Sequence, residues 1–494
     1  MATVPAVQQR GLGASTVAIS GALVLLTATL WLNAPALNVA PLVAAVALIA
    51  VGHRVLLQWH ALLATLIVVI LFIPIRRYEL PGSLPFSLEP YRLLVALIFA
   101  GWLAALLVDG RVRLRGTGLD GPVALIAAGA LGSIVANAGR VAGLSSDVMK
   151  ELTFLASFLL LLYLFASVVR RTETVEFLVK LLVGGGTIVA VLGLVESNTG
   201  FNIFNQLGGV VPLLEVVAIP EADTRGGRMR VFASAQHPIA LGAALVMILP
   251  FAVYLGRHAK RGRSWWWLSA ALLMLGAFAT VSRTGILMLV VVGFTFYKLR
   301  PVETKRVLPI LLPVLVVAQL ALPGALGTLK RSFFPSGGLI AEQAGAAGTR
   351  GSGRVADLGP SLAEFARTPV FGQGLGTRIV DEERQNAAIL DNQWLRSLLE
   401  VGLVGVLGWL ALFVRSVRRL ARAAKGDDSP RGWLNTALAA SISAFAVGMF
   451  TYDAFSFIQV TFLLFLLIGF AAVLLREQEP EGESAATAER FARA

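Results

Sequence analysis

FSFIQVTFLLFLLIGFAAVLL, residues Phe455 to Leu475, runs for 21 positions without a charged side chain. At about 1.5 Å of rise per residue, a helix of this length covers roughly the 30 Å hydrocarbon core of a bilayer. Only helices and closed barrels satisfy their backbone polar groups there. Outward from this segment the pattern recurs, and fourteen apolar stretches, each followed by a polar break, fill the chain. The earlier ones are Ser15 to Leu32, Leu37 to Ala50, Ala61 to Ile75, Leu93 to Val108, Pro122 to Ala136, Leu152 to Val169 and Phe177 to Val195. Then come Pro238 to Leu255, Trp265 to Val281, Thr284 to Tyr297, Val307 to Leu322, Leu398 to Val414, Ala437 to Phe450 and Phe455 to Leu475. The expected fold is an all-α polytopic membrane protein with about 14 transmembrane helices.

Lysine and arginine crowd into every second break, and cytoplasmic loops are the ones that retain them. With the N-terminus inside, Arg111, Arg113 and Arg115, then Arg170 and Arg171, then Arg257, Lys260, Arg261 and Arg263 share one side. Lys298, Arg300, Lys305, Arg306 and the run from Arg415 to Lys425 join them. An even span count returns the C-terminus to that side. The chain is therefore expected as a multi-pass protein of the plasma (inner) membrane with both termini cytoplasmic. Residues 1–14 and 477–494 read as polar tails, residues 15–476 as the bundle, and the longest insertions, 196–236 and 323–393, as outward-facing. The first span has no convincing cleavage site and is expected to be retained.

A hydrophobic fraction of 56% with 14% charge and a mean hydropathy of +0.77 excludes a soluble enzyme and a disordered chain. The net charge of +13 is accounted for by the loop topology and by attraction to anionic membrane lipids, so no nucleic-acid partner is expected. With no cysteine, disulfides, thiolate zinc sites and thiol nucleophiles drop out together. Four histidines, at positions 53, 60, 237 and 258, show no metal-ligand spacing.

Chemistry is then expected in the outward insertions. VADLGPSLAEFAR places Val355, Leu358, Leu362 and Phe365 at roughly helical spacing. Such a helix either lies in the membrane interface or packs on the bundle as a lid. Gly372, Gly374 and Gly376 follow no strand of a nucleotide-binding unit and suit tight turns. Asp391 and Asn392 precede a long helix, so one of them could be its N-cap, while a carboxylate at that mouth could also be a general base.

The ordered segments RVFASAQHPIALGAALVMILP, TVSRTGILMLVVV, TPVFGQGLG and DNQWLRSLLEVGLVGVLGWL resemble the O-antigen ligase and polymerase family. The resemblance runs from about Arg230 to Val414. It implies a GT-C-like ligase/polymerase bundle with one large extracytoplasmic loop. It also implies metal-independent, cofactor-free inverting transfer of a glycan from an undecaprenyl-type polyprenyl-pyrophosphate carrier to a glycan or lipid-linked acceptor. By the same resemblance Arg283 matches the arginine of the family's Ser-Arg pair, and Arg354 and Arg230 become contacts for pyrophosphate or glycan. Asp391 stands where the ligases carry a catalytic histidine, with Asn392, Gln393 and Arg396 beside it as substrate-binding candidates. His237 is the one histidine expected outside and could supply the missing imidazole, or simply start a helix. For each of the three arginines the alternative is a structural or solvated charge. A secondary transporter or flippase of envelope precursors is the other functional class, and it calls for ionisable residues paired deep in the helices.

Overall fold

The computed structural model describes residues 58–81, 88–211, 213–220, 224–225, 228–307, 309, 311–322, 324–335, 338–344, 354–380 and 385–476. The expected spans Ser15 to Leu32 and Leu37 to Ala50, and both tails, lie outside these residues. The other twelve stretches coincide with helices. In chain order the main helices are α1 (Trp59–Phe72), α2 (Pro90–Val108), α3 (Asp120–Ala136), α4 (Ser145–Val168), α5 (Thr172–Thr199) and α6 (Pro238–His258). They continue with α7 (Arg263–Ala279), α8 (Arg283–Leu299), α9 (Leu311–Ala321), α10 (Ala325–Phe333) and α11 (Leu358–Phe365), and end with α12 (Gln393–Ala424), α13 (Pro430–Gly448) and α14 (Ile458–Arg476). Of these, α10 and α11 belong to the long insertion and match no expected span.

Six of the described helices, α2, α4, α5, α6, α12 and α14, are long and apolar enough to cross a membrane. That makes the chain an all-α, multi-pass membrane protein. Two of the expected stretches change length. Of Val307 to Leu322, the described helix α9 covers 11 residues. Leu398 to Val414 grows into α12, 32 residues with a break inside.

A helix that is apolar all round has no face to offer water, so it sits in lipid or in a core. α14 takes the core: every residue from Ile458 to Leu475 is buried. α4, α6, α12 and α13 pack around it. Phe158 of α4 stacks on Phe465 with ring centroids 5.5 Å apart and meets Phe462 edge-on at 5.0 Å. α3 crosses α12 closely, since a Cβ on Gly129 would stand 2.5 Å from the Cα of Gly405. Small residues at a membrane helix crossing let two backbones approach in this way.

The break in α12 falls at Gly402, whose φ of 64° and ψ of −165° are not helical. Breaking a helix frees amides and carbonyls that need partners in a membrane. Residues 369–374 supply them. The Leu403 N–H donates to the Pro369 carbonyl at 2.9 Å and the Gln373 N–H to the Leu399 carbonyl at 2.8 Å. The Gly374 N–H and the Ser133 hydroxyl both donate to the Glu400 carbonyl, at 3.2 and 2.6 Å. A Cβ at Gly402 would lie 2.3 Å from the Val370 carbonyl oxygen, so no other residue fits there. The glycine-rich segment is thus a tie through the helix break.

The strands are two residues long each. β1 (Tyr78–Glu79) pairs antiparallel with β2 (Glu215–Val216), and β3 (Thr224–Arg225) with β4 (Arg228–Met229). The first pairing brings the end of α1 beside the loop that follows α5.

Candidate active site

Where α1 ends, the chain carries two arginines, and the first sits at a φ of 64°. A side chain in that left-handed region is strained unless neighbours hold it. Here the Arg76 N–H donates to Glu89 Oε2 at 2.7 Å, and Glu89 Oε1 pairs with Arg92 at 3.0 Å. Burial pushes the Glu89 carboxyl up, against the opposing pull of these partners.

Arg77 is buried and reaches across to residues 230–237. Its guanidinium donates to the Ala233 carbonyl at 2.8 Å, to Asn205 Oδ1 at 3.1 Å and to the Ala235 carbonyl, and it lies over the Phe232 ring. From the other side Glu196 accepts from the Ala233 N–H at 2.8 Å. Burial pulls the Arg77 guanidinium down to about 10, with Glu196 resisting. This clasp fixes the segment that presents Arg230, Gln236 and His237.

His237 caps α6: its Nδ1 accepts the Ile239 N–H at 3.1 Å. The proton of the neutral ring is then on Nε2, so the imidazole turns a donor away from the helix. Arg230 is 3% exposed, with Nε donating to the Thr280 carbonyl at 3.2 Å.

The two readings of the Asp391-Asn392 pair separate. Asn392 is the N-cap of α12, its side chain accepting the Leu395 N–H at 3.1 Å. Asp391 is left in the wall of a cavity, where Arg354 Nη2 reaches its Oδ2 at 3.2 Å. Gln393 is committed to the fold. Its Nε2 donates to Ser397 Oγ at 3.1 Å and its Oε1 accepts the Phe455 N–H at 2.9 Å. Arg396 holds three carboxylates, Glu151 at 3.1 Å, Glu400 at 3.1 Å and Asp453 at 2.5 Å.

These elements enclose a cavity of about 710 Å³. Of the residues singled out in the sequence, Asp391, His237, Arg230 and Arg396 line it, although they span positions 230 to 396. Arg354 is joined through Asp391. Arg283 is not in the lining, and its Nη1 donates to the Ser332 carbonyl at the end of α10 at 3.1 Å. Arg76, Arg77, Arg378, Gln236, Tyr452 and Asp453 line the cavity as well and carry no expectation from the sequence. Buried polar atoms are nearly always hydrogen-bonded in folded proteins. Four of this wall, Arg77 Nε, Gln236 Nε2, Tyr452 Oη and Asp453 Oδ1, have no partner among the described residues. Burial also pushes the Tyr452 hydroxyl well up, keeping it protonated.

Arg76 and Arg77 did leave a trace in the sequence. With the N-terminus inside, a pair following the third span lies on the outer side, against the basic-loop rule. Asp453 leaves none, since a single carboxylate between two spans matches no motif. Among the described residues no group of three His, Asp or Glu side chains is arranged to hold a metal ion.

The sequence model of a family described as O-Antigen ligase matches residues 268–410. The match supports assignment to the O-antigen ligase and polymerase family and bears out the resemblance drawn from the residues. No curated protein matches the chain.

Proposed function

We propose that this protein transfers a glycan from a polyprenyl-pyrophosphate carrier to an acceptor hydroxyl, with inversion, at the outer face of the plasma membrane. Family membership supports glycan transfer in general terms. The observation that carries the finer reading is the cavity, where Asp391 shares the wall with several arginines and with four buried polar atoms that have no partner among the described residues. A glycan brings many hydroxyls to satisfy such atoms, and a pyrophosphate brings charge for the guanidinium groups.

In this mechanism the acceptor oxygen attacks the anomeric carbon. The bond from that carbon to the pyrophosphate oxygen breaks, and its electron pair leaves with the pyrophosphate. Asp391 takes the acceptor proton, held in place by Arg354. Arg76, Arg230 and Arg378 meet the charge that grows on the leaving group, and the His237 Nε2–H adds a neutral donor. His237 is therefore assigned to donation rather than to the base, because protonating Nδ1 would cost the cap on α6. Asn392 and Gln393 hold the mouth of α12 so that Asp391 stays at the wall.

Deleting the gene and analysing lipid-linked and envelope glycans tests the proposal. Long lipid-linked chains should accumulate if the protein is a ligase, and single repeat units if it is a polymerase. An unchanged glycan profile would sink both.

The proposed orientation has both termini and Arg415 to Arg431 cytoplasmic, with residues 323–393 outside. Single cysteines at Ala346 and Ala423 of this cysteine-free chain should differ, an impermeant maleimide labelling the first in intact cells. Labelling of the second alone would reverse the topology.

Arg283 is proposed to meet the donor pyrophosphate while its other contact anchors α10. Arg283→Lys keeps the charge and one donor but loses the planar fork. Donor KM should rise about tenfold, equivalent to about 1.4 kcal/mol. Wild-type kinetics in this variant would leave Arg283 as an anchor alone.

A further inference from the structure

α11 buries polar side chains and leaves two of its leucines exposed. Its polar side points inward: Asp357 and Ser361 are buried, and Glu364 Oε1 pairs with the cavity residue Arg378 at 2.5 Å. Phe365 packs inward against Leu390, Leu395 and Leu399, whereas Leu358 and Leu362 point out, 42% and 52% exposed. At about 100° per residue Leu358 and Leu362 lie about 100° and 140° around the axis from Asp357, off the side that Asp357, Ser361 and Glu364 share. A helix whose leucines leave the protein while its carboxylate and hydroxyl enter it has its apolar medium outside.

The surroundings say which medium. α11 packs on α12, one of the helices of membrane-crossing length. The outward apolar surface continues through exposed Val370, whose carbonyl accepts the Val404 N–H of α12, to exposed Leu403 and Leu407 on that helix. Arg367, just past the end of α11, is exposed and lies about 140° around the axis from Leu362, away from the leucines and free to meet lipid phosphates.

We propose that α11 is seated in the bilayer surface, Leu358 and Leu362 entering the boundary between phospholipid headgroups and acyl chains. Its inward face, through Glu364 and Arg378, then fixes the cavity wall at headgroup height, where a lipid-linked pyrophosphate is presented. The seating rests on the bundle being embedded in a membrane and not on glycan transfer, so the two stand or fall separately.

The cysteine-free chain allows a direct test. Leu358→Cys, Leu362→Cys and Ala363→Cys proteins, each carrying a nitroxide label, are reconstituted full-length into phospholipid vesicles. Collision with oxygen, which partitions into lipid, is compared with collision with a water-soluble nickel chelate. Oxygen should dominate at 358 and 362 and nickel at 363, which lies about 100° around from 362. Nickel dominating at all three positions would place the face in water and overturn the proposal. Protection from both reagents at 358 and 362 would also overturn it, showing a protein surface, such as a second copy, on that face.

Discussion

Asp391→Asn protein is expected to fold, to bind the lipid-linked donor and to lose about 10²- to 10⁴-fold in transfer rate, the usual contribution of a general base. The substitution is clean because the cap of α12 belongs to Asn392, whose side chain accepts the Leu395 N–H. Asparagine keeps the size and an oxygen for Arg354 but cannot take a proton. Single-turnover rates on purified protein, with donor binding measured beside them, separate chemistry from affinity. Near-wild-type turnover would remove Asp391 from the mechanism and make Asp453, in the same wall, the next carboxylate to replace.

The second large effect is expected at Arg396. Its guanidinium is mostly buried and neutralises Glu400 and Asp453, which are themselves largely enclosed. Removing one partner of a buried ion pair leaves uncompensated charge and costs about 3–5 kcal/mol. Arg396→Met should therefore melt at a clearly lower temperature in detergent or lipid. Adding Glu400→Gln should restore part of the loss, because one stranded charge is then gone. A single variant melting like wild type but unable to bind donor would show that the arginine serves the substrate instead.

Much of this architecture was legible because bilayers impose a coarse grammar. Charge-free runs marked the helices, and the four motif segments pointed to Asp391, His237, Arg230 and Arg396 before their positions were known. Two things were hidden for physical reasons. The break at Gly402 lies in an unbroken apolar run, and only the carbonyl of Val370 pressed against it reveals why glycine is needed. Uniform apolarity likewise cannot tell a helix facing lipid from one enclosed by protein, so the central place of α14 left no mark. Arg283 was read from its motif as a contact for the donor pyrophosphate, and its guanidinium also donates to the Ser332 carbonyl, outside the cavity lining.

That central place bears on how the molecule is made. Ribosomes deliver a chain from its N-terminus, so α4, α6, α12 and α13 are all synthesised before the helix they surround. Until Ile458 to Arg476 emerges, the partly made bundle lacks the helix at its axis. Phe158 and Phe165 wait without the rings they later meet. Assembly of the described bundle is thus tied to the arrival of this helix, and a ribosome that stops before it leaves a product with an open seam. Such a product is recognisable to membrane quality control as unfinished, whatever the state of its catalytic loop.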